Sequence, residues 1–139
     1  MICICGESGS GKTTSIRNLN PEETFIITTT GKKTGYSWCK KRSYRNLNTA
    51  GKTPEELGNF YTTTSVDNVA TMLKLINSKM AWIKYVIIDD FQYFMAFEAM
   101  DRAKEKGYEK FTEMAQHAYS SAEKCNESSW WFVYCSIYS

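Results

Sequence analysis

Hydrophobic and polar positions along this chain follow two rhythms. Short runs of apolar and β-branched residues recur at Ile2–Cys5, Thr24–Thr29, Phe60–Thr64, Trp82–Asp89 and Trp130–Tyr138. Their length and composition predict strands. Between them the apolar positions fall at helical spacing. A first helix is expected from Thr13 to Leu19, with Ile16 and Leu19 inward, and it ends before Pro21. A second should be capped by Ser65, face the core with Val66, Val69, Ala70, Leu73 and Ile76, and stop near Asn77-Ser78. Two further helices are predicted over Phe91–Lys106, closed by Gly107, and Tyr108–Lys124, with Phe111, Met114, Ala115, Ala118 and Ala122 on one face. Strands alternating with helices predict an α/β fold with a mainly parallel sheet. Four apolar residues in a row before Asp89 fit a strand buried on both faces.

Composition narrows this picture. A chain of 139 residues with 42% hydrophobic content has one core's worth of material, read here as a single domain over 1–139. Five cysteines, an odd number with no C-x-x-C pair, make neither a disulfide framework nor a zinc site and point to a reduced, cytoplasmic setting. Cys3 and Cys5 share one face of a strand and read as buried thiols. No secretory signal or membrane-length apolar run is visible, so no membrane partner is expected.

The net charge of +2 is small, but its distribution is uneven. Seven basic residues and no acid lie between positions 31 and 54, leaving ten basic against fifteen acidic residues elsewhere. This segment reads as a loop or hairpin insert. Lys40, Lys41 and Arg42, with Trp38 and its neighbours Tyr36 and Tyr44, have the make-up of a single-stranded nucleic-acid contact, with charges along phosphates and rings on bases. A solvated loop whose aromatics pack back on the sheet, or a subunit contact in a homo-oligomer, accounts for the same residues. The lone His117 reads as a packing or surface residue rather than a metal ligand.

Two stretches carry chemistry. Gly6-Glu7-Ser8-Gly9-Ser10-Gly11-Lys12-Thr13, followed by Thr14, matches G-x-x-x-x-G-K-[ST] without deviation, after a predicted strand and before a predicted helix. Gly6 and Gly11 should permit the tight loop whose N–H groups cradle a β-phosphate, and the following helix should add its positive end. Lys12 is expected between the β- and γ-phosphates of a nucleotide, and Thr13 as a ligand of Mg²⁺. The second stretch is Val86-Ile87-Ile88-Asp89-Asp90. Asp89, at the C-terminal edge of its strand, should hold Mg²⁺ opposite Thr13. Asp90 has two readings. It is the general base for the attacking water, one methylene shorter than the usual Glu, or it is the N-cap of the next helix.

The loop Gly6–Thr14, the stretch Ile87-Ile88-Asp89-Asp90-Phe91-Gln92-Tyr93, and Lys110-Phe111-Thr112-Glu113 with Gln116-His117 resemble the AAA/RecA-like P-loop ATP-binding proteins of tailed bacteriophages. The resemblance covers Met1 to about His117. It implies a RecA/AAA-like P-loop NTPase core, a three-layer sandwich with a mainly parallel sheet. It also implies ATP with Mg²⁺, a role in phage DNA metabolism of the recombination or annealing kind, single-stranded DNA as partner and the host cytoplasm as location. In that family the strand corresponding to Trp131–Ser136 ends in a polar γ-phosphate sensor, which makes Ser136 the counterpart here, and further strands follow. With none of those strands present before Ser139, the chain reads as a truncated or divergent member. Two other functions fit the loop: a nucleotide-binding interaction module with little turnover, and a small-molecule kinase. The kinase reading has few arginines (Arg17, Arg42, Arg45, Arg102) to draw on and no acid in Thr28-Thr29-Thr30.

Overall fold

The structure is a computed structural model and describes residues 2–7, 9–29, 44–103 and 132–137, with the single positions 113, 116 and 120. Along residues 2, 3, 5 and 132–137 only the backbone is described. β1 (Ile2–Cys5), β2 (Thr24–Thr28), β3 (Phe60–Thr62), β4 (Tyr85–Asp89) and β5 (Phe132–Ile137) form one sheet in the order β1-β5-β4-β2-β3. Every pairing is parallel. The last strand in sequence is thus inserted between the first and the fourth. Its partners are Cys3↔Cys135 on one side and Ile88↔Cys135 on the other.

The centre of the sheet is built from the two most β-prone runs. All of β2 is buried, as is β4 beyond Tyr85. Period-two alternation sends their side chains to opposite faces. Phe25, Ile27, Val86 and Ile88 face one layer with Val69, Met72, Leu73 and Ile76 of α3 (Val66–Lys79) and Phe94 of α4 (Gln92–Asp101). Ile26 and Ile87 face another, formed by Ile16, Tyr44 and Phe60. The result is the expected three-layer α/β arrangement. Burial on both faces is why these strands read as continuous apolar runs.

Ser65 caps α3 as predicted, its hydroxyl accepting from the Asn68 N–H at 3.4 Å. The buried stripe is centred on Met72 and Leu73, which leaves Val66 and Ala70 half-buried at its margins. The first helix differs from expectation. α1 covers only Lys12–Ser15 and tightens into a 3₁₀ turn over Ile16–Asn18 before Leu19 turns extended. Ile16 is buried by that turn. β3 is three residues rather than five, although the Thr63 N–H still bonds the Thr28 carbonyl at 3.0 Å. α4 begins one residue later than predicted and ends at Asp101. The predicted helix Tyr108–Lys124, with His117, falls outside the described residues apart from three single positions.

Most of the basic insert, positions 31–43, also lies outside them. Its return is described, and there Tyr44 is buried in the core, as the reading in which the segment's aromatics pack back on the sheet expects. From there the chain runs along β3, with the Leu47 N–H bonding the Phe60 carbonyl at 2.8 Å and the Asn59 N–H bonding the Arg45 carbonyl at 2.9 Å. That pairing covers an edge that would otherwise expose unpaired backbone groups. It also requires Gly58, where φ is +74° and a Cβ would lie 2.3 Å from the Asn46 carbonyl oxygen. Ahead of α2 (Pro54–Leu57), Thr53 and Glu56 form a capping box that shapes the same return. At the opposite end of the sheet, Lys84 Nζ meets Glu23 Oε1 at 2.6 Å, tying the approach to β4 to the approach to β2. The hydrogen bond to Glu23, with its charge, raises the Lys84 pKa above its ordinary value.

Among the described residues no helix is long and apolar enough to cross a membrane.

Candidate functional site

The loop that leaves β1 and the carboxylate that ends β4 meet at the C-terminal edge of the sheet. Gly11 holds φ +86° at the N-cap of α1, a left-handed conformation open to glycine without a Cβ penalty, and the Ser15 N–H bonds its carbonyl at 2.9 Å. Gly9 is also left-handed, at φ +79°. Gly6, expected to share that role, is not among the positive-φ residues. Its missing side chain matters for space, because a Cβ there would sit 2.9 Å from Ser10 Oγ. Glu7, Ser10 and Thr14 are exposed along the loop and first turn, and Ser8 lies outside the described residues.

Lys12 is 92% buried, an unusual place for an ammonium group, and the loop itself solvates it. Its Nζ donates to the Gly6 carbonyl at 2.7 Å, the Glu7 carbonyl at 2.6 Å and Ser10 Oγ at 3.3 Å. A cation is therefore fixed inside the cradle by backbone dipoles. The predicted positive helix end is a lesser contribution than expected, because α1 is a single turn and its dipole is correspondingly small.

Across the site, Thr13 Oγ1 donates to Asp89 at 3.1 Å from Oδ2 and 3.4 Å from Oδ1, joining residues 76 apart in the chain. Asp89 is buried and also accepts from the Asp90 N–H at 3.1 Å. A hydroxyl and a carboxylate facing each other at the end of a parallel strand are hard oxygen donors of the kind Mg²⁺ takes, with water and phosphate completing its shell. The pair fits that ion. No group of three or more His, Cys, Asp or Glu side chains among the described residues forms a protein-only metal cage.

Asp90 is placed differently from its capping alternative. It is half-buried at φ +62°, the only described non-glycine residue with positive φ, and the α4 N-cap is Phe91. Its backbone carbonyl receives the first-turn N–H of Tyr93, at 3.0 Å. The chain reverses from β4 into α4 within two residues, and the single left-handed residue this needs is one of the few that Asp tolerates. Ser136 stands on β5 opposite Ile4, one position past the Ile88↔Cys135 pair, and so level with Asp89 at this edge. Lys40, Lys41, Arg42 and Trp38 lie outside the described residues.

Two polar residues missed by sequence reasoning belong to this edge. Thr29 follows Thr28, the register partner of Asp89, and Gln92 opens α4 two residues after Asp90. The Thr29 hydroxyl and both amide atoms of Gln92 are shielded from solvent without a hydrogen-bond partner. Such groups cost about 1–3 kcal/mol each. Nothing in composition or spacing distinguishes them from ordinary strand and helix residues; their isolation exists only in the folded chain. A cavity of about 480 Å³ does not mark the site either. It lies at the opposite edge, lined by Glu22, Arg45, Asn59 and Trp82, away from the loop and from both aspartates.

A family model described as an AAA domain matches residues 1–123, most of the chain. The chain belongs to the AAA domain family. No curated protein matches it. An AAA domain with this parallel sheet has the P-loop NTPase fold, and as a family member the chain is a nucleotide-binding P-loop NTPase. In this AAA domain the inserted β5 separates the loop strand from the aspartate strand, and the site spans that insertion.

Proposed function

We propose that this AAA domain binds ATP with Mg²⁺ and hydrolyses it slowly, with single-stranded DNA as stimulator, in phage DNA metabolism of the recombination or annealing type. The observation that carries the nucleotide part is the 3.1 Å bond between Thr13 Oγ1 and Asp89 Oδ2, which brings a phosphate loop and a strand-end carboxylate to one point. Lys12, buried beside them, supplies the fixed positive charge for the β- and γ-phosphates. When bound between Thr13 and Asp89, Mg²⁺ would neutralise charge on the phosphate oxygens. In hydrolysis the water oxygen bonds to the γ-phosphorus and the bond to the β,γ-bridging oxygen breaks. That electron pair remains on ADP, and the water's proton passes to the Asp90 carboxylate. The DNA part rests on the acid-free basic segment over 31–54, which follows β2 in the chain.

One observation favours a second reading, a nucleotide-binding module with little turnover. Asp90 is a methylene shorter than the glutamate that usually serves as base, and its backbone is held in a left-handed turn. Steady-state ATP turnover with and without single-stranded DNA, run beside Lys12→Ala, separates the two. The ATPase reading expects turnover that Lys12→Ala abolishes and DNA increases. Tight binding of a fluorescent ATP analogue without turnover establishes the module, and equal binding by Lys12→Ala removes the nucleotide assignment altogether.

A further inference from the structure

Gln92 opens α4 immediately after the Asp89-Asp90 pair, and its position is firmly held. Two residues on, Phe94 is completely buried in the core under the sheet, and its ring lies against Phe91 with centroids 5.9 Å apart. The start of α4 cannot swing outward without withdrawing Phe94. The amide of Gln92 is shielded from solvent at both Oε1 and Nε2, and neither atom has a hydrogen-bond partner. A helix start would accept Leu or Met of similar volume at no such cost. Native proteins leave few buried polar groups unsatisfied, and a strained or functional role is the usual reason for one. A second unsatisfied group, the Thr29 hydroxyl, stands at the same sheet edge, one residue beyond the strand paired with Asp89. Gln92 and Thr29 thus place buried polar atoms without partners at the sheet edge that carries Asp89 and Asp90.

We infer that Gln92 is a water-positioning residue: its Oε1 accepts a hydrogen bond from the attacking water while its Nε2 donates to a γ-phosphate oxygen. An amide suits this task because it carries an acceptor and a donor without charge, so it aligns water and phosphate without repelling either. The arrangement complements Asp90. A short base on a fixed backbone has little freedom to seek its water, and a second group that holds the water in line supplies the missing orientation. This inference rests on the ATPase reading.

The test uses the intact chain and reads binding instead of turnover. A fluorescent ADP analogue is titrated with Mg²⁺, with and without aluminium fluoride, which imitates the transferring phosphoryl group with its in-line water. Wild type is expected to bind ADP at least tenfold more tightly with aluminium fluoride. Gln92→Leu should lose most of that gain, keep its affinity for ADP alone, and melt no lower than wild type because an orphaned amide has been replaced by an apolar group. Gln92→Met, closer in shape, serves if the leucine variant folds poorly. Retention of the full gain by a folded variant overturns the inference, and so does its absence in wild type. ATP turnover by that wild type then reports separately whether the ATPase reading stands.

Discussion

Thr13 shows how little a single residue says until its neighbour across the fold is known. Its hydroxyl belongs to a recognisable motif, but the atom that gives it a purpose, Asp89 Oδ2, is 76 residues away in sequence and 3.1 Å away in space. If Thr13 is a metal ligand, Thr13→Ala should bind ATP without Mg²⁺ about as well as wild type and gain little or nothing when Mg²⁺ is added. Thr13→Ser should restore the Mg²⁺ response. Titrations with and without EDTA check this, and a normal Mg²⁺ response in the alanine variant removes Thr13 from the metal site. Asp90 illustrates the reverse case. Both readings of it, base and helix cap, are legitimate for an Asp that follows a strand. The φ of +62° and the N-cap at Phe91 take Asp90 out of the N-cap position: its backbone reverses the chain ahead of the helix.

Elements were legible where one physical signal dominated. β1 covers its run and β2 stops one residue short of its own, while β4 starts three residues into its run, at Tyr85, and ends with it at Asp89; in β2 and β4 burial on both faces leaves little polar pattern to blur the reading. Ser65 stops the chain from continuing as strand and starts α3 by satisfying the Asn68 N–H. α1 was less legible. The spacing of Ile16 and Leu19 fits an α-helix, but burial of Ile16 against Ile26 and Ile87 is achieved by a 3₁₀ turn, with Leu19 already extended ahead of Pro21. The return along β3 was not predicted at all, because its specification lies in a close backbone approach. Gly58→Ala tests it. Strain at φ +74° amounts to about 1–3 kcal/mol, and the overlap with the Asn46 carbonyl adds to it. The variant should have a clearly lowered urea midpoint with an unchanged slope, whereas a wild-type midpoint would mean that the return is loosely held.

At the scale of the whole molecule, one edge of a parallel sheet gathers the loop after β1, the aspartates after β4, Ser136 near the end of β5 and the exit from β2 into the basic segment. Parallel strands all end on the same side, so residues scattered through the chain converge without any local signal of their convergence. The exit from β2 lies at that edge, and the DNA proposal concerns the basic segment that follows it in the chain. Neutralising Lys40, Lys41 and Arg42 to alanine should flatten the log–log salt dependence of single-stranded DNA binding by roughly 2, at about 0.7 per phosphate contact. An unchanged slope by fluorescence anisotropy would show that the phosphates are held elsewhere. Tyr44 belongs to the opposite account, since its ring is committed to the core.

The sequence by itself determined the phosphate loop, the strand that ends in Asp89, the α/β alternation and the cap at Ser65. Each depends on residue types at short fixed spacing, where local sterics and hydrogen bonding act directly. Only the tertiary structure decided that β5 inserts between β1 and β4, that Tyr44 turns inward, that Asp90 bends the chain ahead of an N-cap at Phe91, and that the side-chain polar atoms of Gln92 and Thr29 are buried without partners. Those outcomes depend on which strands lie side by side and what remains exposed after packing. They arise from contacts between distant segments, which spacing along the chain does not encode.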